Sequence, residues 1–237
     1  MKKILCINPI TSKEFNTMSH EYLNSIKDND SEIISINIKN GPASIEAFYD
    51  EGYAIPEVLR IVDEYSTKVN AIIINCFADP AINASREITS IPIIGPAESC
   101  LYMALMLGHK YAVISTGKNI GPWIEIQARE YGIQNRLVAA VGIELPVLRL
   151  QDNLEETSNY ILKEANSLIH EKGAEVIILG CTGMATVANM VQKELSVPLI
   201  EPMATTLKLA QLMCELDLTH SKIGLYMEPN KLKITGY

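Results

Sequence analysis

The chain contains an internal repeat, and this repeat constrains the fold more than any other feature of the sequence. Residues 70–106 resemble residues 175–213, with a one-residue insertion between the cysteine turn and the X-Pro strand. Each copy has the order strand, cysteine turn, helix, X-Pro strand, proline turn and helix. Cys76 matches Cys181, and the other matched pairs are Pro92 with Pro198, Pro96 with Pro202, Leu101 with Leu207, and Ala104 with Ala210. Two copies of one such unit predict two lobes of the same architecture.

Short β-branched runs alternate with longer amphipathic stretches along the chain, which is typical of α/β folds with parallel sheets. The predicted strands are Ile4–Asn8, Ile33–Ile38, Ala71–Asn75, Ile91–Ile94, Tyr111–Ser115, Val176–Leu179, Val197–Ile200 and Ile223–Tyr226. The predicted helices are Ile55–Tyr65, Ala97–Leu107, Ile124–Tyr131, Leu154–Ile169, Met184–Leu195 and Thr205–Leu216. We therefore predict an α/β fold of two pseudo-symmetric doubly wound, Rossmann-like lobes with parallel sheets.

The last helix of each repeat is predicted to cross between the lobes. The predicted first lobe is residues 1–96 plus 205–237, and the predicted second lobe is residues 97–204. Ligands of open parallel sheets bind at the carboxyl ends of the strands, where both repeat cysteines lie. We therefore expect the active site in the cleft between the lobes.

Composition and charge exclude several classes of partner. The formal charge is −8 without a Lys/Arg cluster, which argues against nucleic acid. The chain has no apolar run of about 18 residues, and Asn8-Pro9 cuts short the apolar run that follows Met1, so neither a membrane span nor a signal peptide is predicted. Five cysteines without paired spacing indicate free thiols. We expect a cytoplasmic protein with a small-molecule substrate and without nucleic-acid or membrane partners.

No cofactor or metal is predicted. The four histidines lack the spacings of metal ligands. No G-x-G-x-x-G follows a strand, which argues against a dinucleotide, and the segment 117–121 does not fit a phosphate-binding loop.

Cys76 and Cys181 are the candidate catalytic residues. Each follows an apolar strand and precedes a turn into a helix, where unpaired N–H groups and the helix dipole favour a thiolate. We therefore expect their pKa values to lie below the free value of about 8.5. A single cysteine after a strand is more often a small buried apolar residue, but two at equivalent repeat positions favour chemistry. The other three, predicted to be structural, lie inside apolar patterns: Cys6, Cys100 and Cys214.

Two thiols on symmetry-related loops suit a reaction at a stereocentre. One can remove a proton from one face of a ligand while the other delivers a proton to the opposite face, which gives the mirror image. Polar groups at other strand ends could bind the ligand or only cap the turns. These candidate substrate-binding residues are Asn8, Thr11, Gly41, Pro42, Ser115 and Thr116.

Four motifs carry a family resemblance: Asn8-Pro9-Ile10-Thr11, Gly41-Pro42-Ala43-Ser44-Ile45-Glu46, Asn75-Cys76-Phe77 and Gly180-Cys181-Thr182-Gly183-Met184. At these residues the chain resembles the hydantoin racemase branch of the Asp/Glu racemase superfamily. The resemblance implies a two-base mechanism without pyridoxal or metal, a substrate held between two pseudo-symmetric lobes, and a homo-oligomer. It also implies that Cys76 acts on the D enantiomer and Cys181 on the L enantiomer.

The resemblance further implies the kind of substrate. Glutamate racemases have Cys-Asn-Thr at the first thiol, whereas this chain has the apolar Phe77, which fits a neutral ring. We therefore expect racemisation next to a carbonyl, at C5 of 5-substituted hydantoins or allantoin. Four backbone N–H groups are expected to hold the enolate oxygens, those of Phe77, Ala78, Thr182 and Gly183.

Two alternatives remain open from the sequence. One is an aspartate, glutamate or other amino-acid racemase of the same superfamily. The other belongs to a different class, a non-catalytic two-lobed binding protein in which the cysteines only line the cleft.

Overall fold

The strands form two parallel sheets of four strands in the computed structural model, which describes residues 1–229. The first sheet has the order β2-β1-β3-β4, with β1 Lys2–Asn8, β2 Ser31–Asn37, β3 Ala71–Ile74 and β4 Ile93–Ile94. The second sheet has the order β6-β5-β7-β8, with β5 Tyr111–Ser115, β6 Leu137–Gly142, β7 Val176–Leu179 and β8 Leu199–Ile200. Every pairing is parallel. The two sheets have the same order, so the predicted fold of two α/β units is confirmed.

Helices flank both sheets. They are α1 Lys13–Ile26, α2 Phe48–Tyr65, α3 Ile82–Ile88, α4 Pro96–Leu107, α5 Ile120–Glu130, α6 Leu154–Lys172, α7 Ala188–Glu194 and α8 Pro202–Glu215. Three 3-10 turns cover Gln134–Arg136, Val147–Arg149 and Thr182–Val187. Within residues 1–229, none of these helices is long and apolar enough to cross a bilayer.

Two helices cross from one sheet to the other. Helix α4 follows the first sheet but packs against β7 and β8, whereas α8 follows the second sheet and packs against β1, β3 and β4. The two helices also pack against each other. The lobe boundaries, residues 1–96 plus 205–237 and residues 97–204, remain a prediction, and residues 230–237 lie outside the described residues.

The central strands are continuous apolar runs because helices cover both faces of each sheet. Ile4, Ile72 and Ile177 have no exposed surface. Burial of these runs against the flanking helices supplies most of the stabilisation. It also fixes the strands whose carboxyl ends carry the cysteines.

Several predicted elements differ from the structure. The prediction of a strand at Ile223–Tyr226 is wrong, because this segment forms a turn outside both sheets. At the edge strand β4, the N–H of Ile93 donates to His220 Nε2 over 2.8 Å, so it is not available to pair with a further strand. Strand β6 and helices α1 and α3 were not predicted, and the helix predicted at Met184 begins as a 3-10 turn at Thr182.

Candidate active site between the two sheets

The carboxyl ends of both sheets face one cavity that contains Cys76 and Cys181. Cys76 follows β3 and Cys181 follows β7, which are equivalent strands of the two sheets. Both sulfur-bearing side chains are partly exposed, and neither forms a disulfide. The fold thus brings two free thiols from two separate loops to the same cavity.

The two thiols have matching backbone partners. The N–H of Ala78 faces the Cys76 sulfur and the N–H of Gly183 faces the Cys181 sulfur, and each contact lowers the pKa of its thiol. Burial has the larger effect and raises both pKa values, that of Cys181 to about 11 and that of Cys76 well above its usual value. The predicted fall of these pKa values below the free value is therefore wrong. Removal of the thiolates from water outweighs the turn N–H groups.

A buried acid lies beside the first cysteine turn. The Asp79 carboxylate accepts the backbone N–H groups of Ala97 at 3.0 Å and Glu98 at 2.8 Å, and it also accepts the Tyr131 hydroxyl at 2.8 Å. Burial raises the pKa of Asp79 to about 7 despite these donors. Its charge contributes to the raised pKa of Cys76. Asp79 therefore ties the turn after Cys76 to the start of α4.

Some predicted binding residues lie on the cavity wall. The hydroxyl groups of two of them, Ser115 and Thr182, bond to the backbone of the cysteine loops. Ser115 Oγ donates to the Gly180 carbonyl oxygen over 2.7 Å, and Thr182 Oγ1 donates to the Asn75 carbonyl oxygen over 3.4 Å. The predicted residues on the wall are Phe77, Ala78, Ser115, Thr116 and Thr182.

The remaining predicted residues do not line the cavity; they are Asn8, Thr11, Gly41, Pro42 and Gly183. Asn8 is fully buried and accepts the Asn75 amide over 2.8 Å. The N–H and hydroxyl groups of Thr11 both donate to the Pro42 carbonyl, which joins two loops of the first sheet. The N–H of Gly183 is directed at Cys181. These groups are used within the protein, so they shape the loops.

Most of the cavity wall was not predicted from the sequence. The wall residues that were not predicted as site residues are Ile10, Phe15, Ile45, Glu46, Asn75, Gly117, Asn119, Ile120, Trp123, Ile124, Gln127, Val147 and Gly180. Some of them do belong to the motifs that carry the family resemblance: Ile10, Ile45, Glu46, Asn75 and Gly180. Those on α5 fit an apolar helical pattern, which alone cannot separate a core face from a cavity face. The single tryptophan of the chain is the one signal that could have drawn attention to this helix.

The wall is mainly apolar and carries little charge. Glu46 supplies its one acidic side chain, and the Ser44 hydroxyl donates to the Glu46 carboxylate over 2.8 Å. Among the described residues that line the cavity, none is Lys, Arg or His. Across residues 1–229, no group of three or more His, Cys, Asp or Glu side chains is arranged to hold a metal ion.

The chain is similar in sequence and in fold to several racemases. A family model described as Asp/Glu/Hydantoin racemase matches residues 4–210. A hydantoin racemase from Pseudomonas sp. (strain NS671) is 33% identical, covering 99% of this chain and 94% of the relative. The structure of an allantoin racemase from Klebsiella pneumoniae superposes with a TM-score of 0.94 at 30% identity, covering 100% of this chain and 97% of that one. An allantoin racemase from Pseudomonas fluorescens gives a TM-score of 0.94 at 26% identity, with coverages of 99% and 100%.

Proposed function

Because the chain belongs to the Asp/Glu/hydantoin racemase family, we propose that Cys76 and Cys181 invert the C5 stereocentre of a 5-substituted hydantoin or of allantoin. The predicted family and enzyme class, a racemase and therefore an isomerase, are confirmed. One observation carries the two-thiol mechanism: equivalent loops of the two sheets present the thiols to one cavity, each with an N–H two residues later facing its sulfur.

The proposed reaction needs one thiolate and one thiol. The thiolate takes the C5 proton, and the electron pair of the C–H bond moves onto the adjacent carbonyl to give an enolate. The other thiol then donates its proton to the opposite face of C5, which re-forms the C–H bond in the mirror-image product. Of the four predicted N–H groups, those of Phe77 and Thr182 are left for the enolate oxygen, because those of Ala78 and Gly183 face the sulfur atoms.

The electrostatics of the loops make the two thiols unequal. Burial raises the pKa of Cys76 more than that of Cys181. The charges of the Cys181 thiolate, Asp79 and Glu51 add to the rise at Cys76, and Glu46 adds to the rise at Cys181. When the pair carries one negative charge, we expect it on Cys181, with Cys76 as the proton donor. A thiolate with a raised pKa is also a stronger base toward carbon.

The cavity wall supports a neutral ring as substrate. A free amino acid presents a carboxylate, and burying that charge costs less beside a cationic partner. Among the described lining residues there is no such partner, whereas Glu46 would repel a carboxylate. A hydantoin ring instead has N–H groups that Glu46 can accept, and the apolar wall can contact its 5-substituent. These features disfavour the alternative of an aspartate or glutamate racemase.

We also propose the setting in which the enzyme works. The five cysteines carry no disulfide, which favours a reducing compartment such as the cytoplasm. A homo-oligomer is proposed by analogy with the family.

The test is proton NMR in deuterated water with both enantiomers of several hydantoins, allantoin, aspartate and glutamate. We expect loss of the C5–H signal together with inversion for a hydantoin or for allantoin. Cys76→Ser and Cys181→Ser should each lower inversion roughly a thousandfold, because each removes one of the two proton carriers. Each variant should still exchange the proton of one enantiomer, a different one in each case.

Cys214→Ser is the matched control, because Cys214 lies on α8 outside the cavity lining. It should keep wild-type inversion. Inversion that survives in both Cys76→Ser and Cys181→Ser would exclude the two-thiol mechanism. Inversion of aspartate or glutamate alone would favour the amino-acid racemase.

A further inference from the structure

Side chains from the second sheet and its helices hold the backbone on both sides of Cys76. The carbonyl oxygen of Asn75 accepts the Thr182 hydroxyl over 3.4 Å. The carbonyl oxygen of Phe77 accepts Gln127 Nε2 over 2.9 Å in a buried hydrogen bond. The first cysteine turn is thus attached at two points to the opposite half of the molecule.

Gln127 is well suited to hold a backbone group in place. It lies on α5 with 5% of its surface exposed, between the buried Ile124 and Ala128. A carbonyl only accepts hydrogen bonds, so the amide must turn Nε2 toward Phe77. Its Oε1 has no hydrogen-bond partner among the described residues. Among the described residues, the bond to the cysteine turn is therefore the one hydrogen bond of this amide, which lies on the cavity-lining face of α5.

The second cysteine turn is held differently. The carbonyl of Gly180, just before Cys181, accepts the Ser115 hydroxyl from β5, the neighbouring strand of the same sheet. Cys181 is therefore tied to its own sheet, whereas the Cys76 turn, besides its bonds to β1, is also tied across the cavity. The distance between the two sulfur atoms consequently depends on the cross-cavity bonds at Cys76.

We propose that Gln127 is a positioning residue that holds Cys76 in register with Cys181 across the substrate. The catalytic part of this inference rests on the proposed function. Without the Gln127 bond, Cys76 would deliver or remove its proton less often, while Cys181 would keep its own geometry. The loss should therefore affect one of the two proton transfers and spare the other.

Gln127→Met tests this inference, because methionine has a similar shape but no N–H donor. In deuterated water we expect inversion of both enantiomers to fall about fivefold to tenfold, as for the loss of one buried hydrogen bond. Proton exchange should persist for the enantiomer that Cys181 deprotonates, identified as the one that Cys76→Ser still exchanges. The ratio of exchange to inversion therefore rises for that enantiomer only.

Gln211→Met is a matched control. Gln211 is also a buried helix glutamine, 2% exposed, whose Nε2 donates over 2.9 Å to Ser31 and whose Oε1 lacks a partner among residues 1–229. It lies on α8 outside the cavity lining. We expect Gln211→Met to lower the unfolding midpoint without changing the exchange-to-inversion ratio. For the enantiomer that Cys181 deprotonates, an equal loss of exchange and inversion in Gln127→Met would overturn the positioning role. The same ratio change in both variants would also overturn it.

A second readout needs no substrate. Alkylation of Cys76 and Cys181 by iodoacetamide, followed by mass spectrometry, compares the two thiols in one sample. In Gln127→Met we expect the alkylation rate of Cys76 to change about fivefold while that of Cys181 stays constant. If wild-type protein exchanges no panel compound but this selective change occurs, the proposed function fails and the positioning role stands. An unchanged Cys76 rate contradicts the positioning role whatever the substrate.

Discussion

At the scale of single residues, the two thiols illustrate how burial competes with local donors. A turn N–H faces each sulfur, which is what the sequence pattern of strand, cysteine and turn predicts. Both cysteines reach the cavity, but the surrounding protein displaces much of the water near the sulfur atoms, and this burial raises the pKa of Cys181 to about 11. The resting pair is therefore mainly protonated near neutral pH, and the active form with one thiolate is a minor species.

This ionisation predicts a pH dependence of the activity. Below the pKa of Cys181, the thiolate fraction rises about tenfold for each pH unit. We expect kcat/KM for both enantiomers to rise from about pH 7 to about pH 8.5, without a fall in that range. Polarimetry or circular dichroism measures the racemisation rate at each pH.

The uncatalysed racemisation of hydantoins also rises with pH, so Cys76→Ser is run beside the wild type at every pH and its rate is subtracted. A corrected kcat/KM that stays constant or falls over this range would show that the ionising group is not a buried thiol of raised pKa.

At the scale of elements, the two crossing helices begin at buried acids, but the acids come from different places. The Glu201 carboxylate caps its own helix α8 and accepts the N–H groups of Met203 and Ala204. The residue at the corresponding position before α4 is Gly95, and the cap there is Asp79, which comes from the first cysteine turn. The first half of the molecule thus couples the helix cap to the loop of Cys76.

Gly95→Ala tests this coupling. A Cβ at this position would overlap the Asp79 carboxylate and the end of the Ile82 side chain, so the acid must move away from the start of α4. We expect the free energy of unfolding to fall by about 1–3 kcal/mol, measured by urea denaturation. Inversion of a hydantoin should fall as well, because Asp79 is part of the turn that carries Cys76.

Gly52→Ala serves as the control substitution. Gly52 lies within α2, and a Cβ there would meet nothing within 4 Å. Because alanine favours helix over glycine, we expect a gain of about 0.5–1 kcal/mol in the free energy of unfolding and unchanged inversion. Equal stability of Gly95→Ala and wild type would contradict the contact with Asp79.

At the scale of the whole molecule, the cavity is closed by contacts between elements of the two halves. Phe48 at the start of α2 packs against Trp123 on α5, with 4.5 Å between their ring centroids. Beside it, Asn119 Nδ2 donates to the Glu46 carbonyl oxygen over 3.3 Å. The segment from Glu46 to Phe48 therefore bridges from the first half of the chain to the wall formed by α5.

This bridge predicts a spectroscopic signal for ligand binding. Trp123 is the single tryptophan of the chain and lines the cavity, so its emission reports on that site alone. We expect titration with a hydantoin to change the emission intensity in a saturable way. Phe48→Leu should alter the emission of the free protein, because the ring contact is lost, and should leave the saturable change in place. A hydantoin that is inverted without any change in emission would exclude this cavity as its binding site.

Much of the molecule follows from the sequence. The repeat centred on Cys76 and Cys181 predicted two parallel α/β units, because apolar β-branched runs, turn cysteines and X-Pro strands are local signals that recur in both copies. The same repeat singled out the two thiols, which the structure places in one cavity. Strand β6 escaped prediction because its apolar run, residues 137–141, includes two alanines, which favour strands less than the β-branched residues of the central strands do.

Only the tertiary structure decided how these local units work together. A thiol pKa depends on how much protein surrounds the sulfur, so the sequence predicted the turn N–H groups but not the dominant effect of burial. The Gln127 bond to the Cys76 turn and the cap of α4 by Asp79 join residues distant in sequence. The folded chain brings such partners together, and their contacts decide which polar groups remain available for a substrate.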